Sequence, residues 1–176
     1  MDFEAVSRFI ISQFDKQKVR VAIIGGFALH VAGLTRATLD VDFLVHQQDV
    51  PKVKSILNGL GYDCRHESQD AINFFGKLDT LGGIDFIIAH RRYALAMLER
   101  AKPHALYKDC VVNVVVPEDI IGLKLQALHN DPTRKPQDLA DIQWLVSHYK
   151  DKLDKDLLKE YFQLFNDQKL LDELIG

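Results

Sequence analysis

With 176 residues, 47% of them apolar and 27% charged, the chain is long enough for one folded domain with a genuine core, plus at most a small helical appendage. A formal charge of −3 offers no general basic footprint of the kind nucleic-acid binders carry, and Cys64 and Cys110 form neither a disulfide framework nor a metal-ligand spacing. There is no run of about 18 apolar residues, and MDFEAVSRF begins acidic and amphipathic rather than as a secretory signal, so a cytoplasmic protein with no membrane span is expected.

In chain order, residues 2–16 fit a helix capped by Asp2, with Phe3, Val6, Ile10 and Phe14 recurring at helical spacing. Val19 to Ile24 reads as a short buried strand. Gly25-Gly26 then lets the backbone turn sharply into a helix over 26–34. A strand follows from Leu39 to His46, and a helix opens at Asp49-Val50-Pro51 and ends at Gly59 or Gly61. Strands are expected over 62–66, 71–78 and 82–89, a helix over 91–101, and a strand from Cys110 to Val116. Pro117-Glu118-Asp119 starts a helix through His129, a basic turn covers 131–136, and a helix runs from Gln137 to Tyr149. Residues 151–175 read as one or two amphipathic helices. No internal repeat or low-complexity linker appears; the expected division is a core over 1–116 with a helical region, 117–176, packed on it.

The chemistry concentrates on two of these strands. Alternation puts Leu39, Val41, Phe43 and Val45 on one side of the first and Asp40 and Asp42 on the other. In the strand over 82–89, Ile84, Phe86 and Ile88 share a face, and Asp85 points the other way. A lone carboxylate in so apolar a run is costly without a partner or a metal. If the two strands pair, Asp40, Asp42 and Asp85 form one cluster. Hard carboxylate oxygens beside a glycine-opened helix start suit a divalent cation held against a phosphate chain. Lys124 falls at the edge of its helix's buried stripe, and Asp138 and Asp141 sit in early helical turns where the helix dipole favours acids.

Taken together, Gly25-Gly26, Gly33-x-x-Arg36-x-Thr38-x-Asp40-x-Asp42 and Asp85 resemble the minimal nucleotidyltransferase superfamily, in which a Gly-Gly or Gly-Ser pair precedes an Asp-x-Asp strand and a third acid comes from a later one. The resemblance is strongest to bacterial AbiEii-type nucleotidyltransferases of toxin–antitoxin systems and to related short members. It extends through Pro117 to Leu128, which includes Lys124, and through Arg134-Lys-Pro-Gln-Asp138-Leu-Ala-Asp141-Ile, so that it covers residues 19–146. Gly26 stands where many members carry serine, leaving backbone N–H groups in place of a hydroxyl.

The resemblance implies a mixed α/β (α+β) fold of nucleotidyltransferase type, a sheet flanked by helices with a helical C-terminal region. It implies Asp40, Asp42 and Asp85 as catalytic and Mg²⁺-binding acids in a two-metal site. Gly25, Gly26, Arg36, Thr38 and Lys124 become the nucleotide-binding residues. The expected substrate is a nucleoside triphosphate, and the acceptor a hydroxyl on RNA, a protein or a small molecule. A cognate toxin or antitoxin protein is an expected partner. The alternative reading is a catalytically silent nucleotide-binding or partner-binding module of such a pair, for which the apolar tail helices would offer the interaction face.

Overall fold

A computed structural model describes residues 3–35, 40–78 and 81–175. The chain divides into two compact units, one ending at Val115 and the next beginning at Val116.

The first unit runs α1 (Phe3–Lys16), β1 (Val21–Ile23), α2 (Gly25–Val31), β2 (Val41–His46), α3 (Val50–Gly59), β3 (Tyr62–Glu67), β4 (Ala71–Gly76), β5 (Gly83–Ala89), α4 (Arg92–Arg100), β6 (Lys102–Tyr107) and β7 (Cys110–Val114). Its strands form one seven-stranded mixed sheet in the order β3-β4-β5-β2-β1-β7-β6. β2 is parallel to β5 and β1 to β7, and the other neighbours are antiparallel. The mixed α/β architecture expected from the sequence is the one observed.

Aromatic residues explain why the sheet settles in this register. Val41, Phe43 and Val45 of β2 are Cα partners of Ile84, Phe86 and Ile88 of β5, and all six are buried. Phe43 and Phe86 stack at 5.4 Å, Phe74 of β4 meets Phe86 edge-on at 5.9 Å, and Phe14 of α1 meets Phe43 edge-on at 5.6 Å. Each such pair contributes about 0.5–1.5 kcal/mol beyond its buried area. A one-residue slip of β2 would turn its rings to the opposite face and press its acids into the aromatic layer, so the pattern specifies the pairing strongly.

A buried carboxylate ties the start of β1 to the start of α3. Asp49 is 3% exposed. It accepts from Arg20 N at 3.1 Å and Arg20 Nε at 2.6 Å, and Lys52 Nζ lies 3.0 Å away. Burial alone would raise its pKa, but the hydrogen bonds from Arg20 and Lys52 outweigh that and bring it down to about 2.

Several boundaries differ from expectation, and one strand was not expected. β2 begins at Val41, so Asp40 precedes the strand. β1 spans three residues rather than six. The segment Lys102–Tyr107 is a strand that the sequence pattern does not announce: Pro103 argues against a strand interior, and its residues are mostly exposed. It forms because it is the sheet's outer edge, where a missing N–H is tolerated, and because the short turn to Cys110 folds it back on β7. The expected cap Asp2, and Leu39, lie outside the described residues.

The second unit is helical: α5 (Pro117–Asn130), α6 (Lys135–Tyr149), α7 (Lys155–Leu164) and α8 (Gln168–Ile175). α5 and α7 approach closely because Gly122 has no side chain; a Cβ there would lie 2.8 Å from the Tyr161 ring. The Tyr161 hydroxyl donates to Asp119 Oδ1 at 2.6 Å, both residues being buried. Asp154 caps α7, accepting from the N–H groups of Asp156 and Leu157. Among the described residues no helix is long and apolar enough to cross a membrane.

Candidate active site

The in-register pairing of β2 with β5 makes Asp42 and Asp85 direct Cα partners. Parallel neighbours lie about 4.8 Å apart and direct partners present their side chains on the same face. Both carboxylates therefore stand side by side on the face opposite the aromatic layer. Asp40, two positions earlier, is exposed, Asp42 is half-buried, and Leu44, two positions later on that face, is fully buried. The acids thus occupy the more exposed end of the strand.

Two glycines leave room for the acids of this segment. Gly25 has φ +62, in the left-handed region, and a Cβ on it would overlap the Asp42 carboxylate. Gly83, the first residue of β5, does the same for Asp40: a Cβ there would lie 2.6 Å from Asp40 Oδ1. Asp85 is held from its other side. Asn73 of β4 is its Cα partner, and the Asn73 amide donates to Asp85 Oδ1 at 2.7 Å. A row Asn73–Asp85–Asp42 crosses three strands, with Gly25 against its end.

Side-by-side carboxylates on neighbouring strands repel one another unless a cation lies between them. The donor set is all hard oxygen, which suits Mg²⁺, an ion commonly bound through one or two carboxylates together with substrate phosphates. Asp42 and Asp85 fit that role. Among the described residues, no three His, Cys, Asp or Glu side chains converge closely enough to hold a metal ion. Arg36 and Thr38, the expected phosphate contacts between α2 and β2, lie outside the described residues. Gly26 lies in the first turn of α2, next to Gly25.

Lys124 belongs to the second unit, on α5. Its ammonium lies 2.7 Å from Asp138 Oδ1 and 2.6 Å from Asp141 Oδ2, both aspartates on α6. Arg134 adds a bond to Asp138 Oδ2 at 3.0 Å. Asp138 is 1% exposed. Burial pushes its pKa up, yet the hydrogen bonds of Lys124 and Arg134 prevail and hold it below the usual carboxylate value. Ion pairing with Lys124 and Arg134 is thus a reason for Asp138 beyond the helix dipole that favours acids in early turns.

Sequence reasoning missed Asn73 and Gly83 as parts of this arrangement. Asn73 is a polar residue in an otherwise apolar, alternating strand, and that interruption was its signal. Gly83 reads from sequence as strand punctuation, because its contact with Asp40 exists only across the sheet. Phe75, the Cα partner of Gly83, is also on the acid-bearing face and is 46% exposed, unlike Phe43, Phe74 and Phe86.

The family model of the nucleotidyl transferase AbiEii toxin, type IV TA system, matches residues 77–175. A search of curated protein sequences found no match. Among solved structures, the chain is similar to the antibiotic-resistance factor ANT(2'')-Ia, with TM-score 0.68, 16% identity, and coverage of 98% of this chain and 97% of that one. It is also similar to the lincosamide antibiotic adenylyltransferase LnuA in its lincomycin-bound form, with TM-score 0.60, 20% identity, and coverage of 82% and 97%. An antigenic nucleotidyltransferase-like protein from Paracoccidioides brasiliensis gives TM-score 0.60, 14% identity, and coverage of 97% and 90%. At these identities the structural likeness speaks to fold.

Proposed function

The chain belongs to the family of the nucleotidyl transferase AbiEii toxin, and on that premise we propose that it is a Mg²⁺-dependent nucleotidyltransferase that moves a nucleoside monophosphate from a nucleoside triphosphate to a hydroxyl acceptor. The observation that carries the reading is the pairing of Asp42 with Asp85, with the Asp42 carboxylate lying against the bare backbone of Gly25. In this reading residues 1–116 are the nucleotidyltransferase core and 117–176 a helical C-terminal region.

Of the three expected catalytic acids, Asp42 and Asp85 would hold Mg²⁺, with Asp40 two positions earlier at the exposed end of the segment; the ion when bound would neutralise phosphate charge and favour ionisation of the incoming hydroxyl. The protein's own contribution is positioning and charge placement, which carry most of phosphoryl-type transfer. Asp85 accepts the acceptor's proton on its carboxylate, and Asn73 keeps that carboxylate turned toward the site. Gly25 and Gly26 let phosphate oxygens come close to main-chain N–H groups. Arg36 offers a planar fork and Thr38 a hydroxyl to the phosphates. Lys124 enters as a nucleotide contact on the family resemblance.

The acceptor is a hydroxyl of RNA, a protein or a small molecule, within a toxin–antitoxin system. Pyrophosphate release with ATP, CTP, GTP and UTP, with and without Mg²⁺, over total cell RNA and protein tests the reading. Mg²⁺-dependent release that Asp42→Ala abolishes without lowering the melting temperature supports it. A protein that binds nucleotide equally well with and without Asp42, and shows no turnover, would be a silent binding module instead.

A further inference from the structure

The helical unit contains a cavity of about 460 Å³ that the proposed transfer chemistry does not use. Its floor is aliphatic: Val146 of α6, Leu153, Leu158 of α7 and Leu171 of α8 line it, each less than a tenth exposed. Leu174 and Ile175 of α8 form the outer wall, and Ile175 is 56% exposed. The volume lies within the range of small-ligand pockets, roughly 300–1,000 Å³.

The rim has the opposite chemistry. Lys150, Lys155 and Lys159 line it, all exposed, against one carboxylate among the lining residues, Asp151. The placement of Lys155 and Lys159 does not favour the helix that carries them, whereas Lys150 caps the C-terminus of α6, where a cation suits the dipole. Lys155 is the first residue of α7, at the positive end of the helix dipole. Lys159 stands one turn further on the same helix, where like charges repel, and Asp156 offsets it from 3.9 Å. Lys150 joins the rim from a backbone with φ +28 and ψ −91, in a region L residues rarely adopt. Positive charge drawn from two elements thus surrounds the mouth of an aliphatic cavity.

We propose that this cavity binds a single-chain alkyl carboxylate, its hydrocarbon tail on the Val146–Leu158–Leu171 floor and its head group among Lys150, Lys155 and Lys159. A recess with a helical wall admits one free chain, whereas a bilayer surface would call for an outward apolar face. A cationic rim selects the anion over a neutral or positively charged amphiphile.

The experiment titrates the full chain with laurate below its micelle concentration, by isothermal calorimetry and by chemical-shift changes at the Leu and Ile methyl groups. Dodecyltrimethylammonium, dodecanol, anionic phospholipid vesicles and an acidic amphipathic peptide are run in parallel. Saturable one-to-one laurate binding is expected, with shifts at Leu158, Leu171 and Leu174, and little or no binding of the cationic and neutral chains. Lys155→Glu/Lys159→Glu, two exposed changes whose fold is checked by circular dichroism, should weaken laurate by about tenfold or more, since two attractive contacts become repulsive. Leu174→Glu, at the rim of the aliphatic wall, should weaken it as well. Absence of saturable laurate binding overturns the proposal. So does equal binding of dodecyltrimethylammonium, indifference to charge reversal, or binding confined to the vesicles or the peptide.

Discussion

The carboxylate of Asp42 lies where a side chain on Gly25 would have to go: a Cβ at that position would come within 2.7 Å of Asp42 Cγ. Gly25 also has φ +62, which costs an L residue about 1–2 kcal/mol. Gly25→Ala is therefore expected to displace Asp42 and strain the turn. We predict a fall in transfer kcat/KM of roughly a hundredfold, the scale that displacement of a reacting group by about 1 Å brings, with a small drop in melting temperature. Gly59 is the control. A Cβ there meets nothing within 4 Å, so Gly59→Ala should leave transfer unchanged and the melting temperature equal or slightly raised. Equal losses in the two variants would refute the assignment.

Asn73 is expected to act through Asp85, whose Oδ1 it holds at 2.7 Å. Asn73→Ala should lower kcat several-fold while leaving the KM for the nucleotide near its original value, because the proton acceptor is misoriented and the nucleotide contacts are kept. The stability cost should be about 0.5–1.5 kcal/mol, that of one hydrogen bond. Steady-state kinetics and a urea melt on the same preparation separate this from a general loss of structure; a rise in KM with kcat intact would count against it.

Lys124 neutralises two buried acids, Asp138 and Asp141. Lys124→Met removes the ammonium that bridges both carboxylates, and should destabilise the helical unit by roughly 3–5 kcal/mol, the cost of breaking a buried ion pair. Adding Asp141→Asn to Lys124→Met should recover part of that loss. A melting temperature unmoved by Lys124→Met would show that the cluster contributes little to stability.

Asp49 supplies an acid-sensitive element. Its pKa is lowered from 3.8 unfolded to about 2 folded, so its ion pairs with Arg20 and Lys52 stabilise fully above the unfolded value. That contribution is lost as the pH falls from near 5 through 2, and amounts to roughly 2 kcal/mol. Denaturant midpoints measured from pH 6 to pH 2 should fall more steeply for the natural protein than for Asp49→Asn. The variant should be the less stable at pH 6, and the gap should close toward pH 2.

Part of the candidate site's geometry is legible in the sequence itself. Asp42 and Asp85 each interrupt an apolar alternation, and alternation within a strand is a local property that sequence reports directly. Once the two strands pair, both acids must face away from Phe43 and Phe86. Asn73 and Gly83 were less legible because their importance lies across the sheet, in the identity of a neighbour that a single strand does not specify. Lys124 shows the same limit: its helix position was readable, but its partners on α6, 14 and 17 positions away, were set by how two helices pack.

The amino-acid order by itself determined the strands other than the edge strand Lys102–Tyr107, the glycine turn and the side of each strand on which its acids lie, because steric preferences and burial act on residues close in the chain. Which strand became the neighbour of which, and hence that Asp85 stands next to Asp42 rather than beyond reach, was decided by the folded sheet. The reason is that strand order depends on the combined packing of Phe14, Phe43, Phe74 and Phe86, contributed by four separate elements, and no one segment encodes that sum.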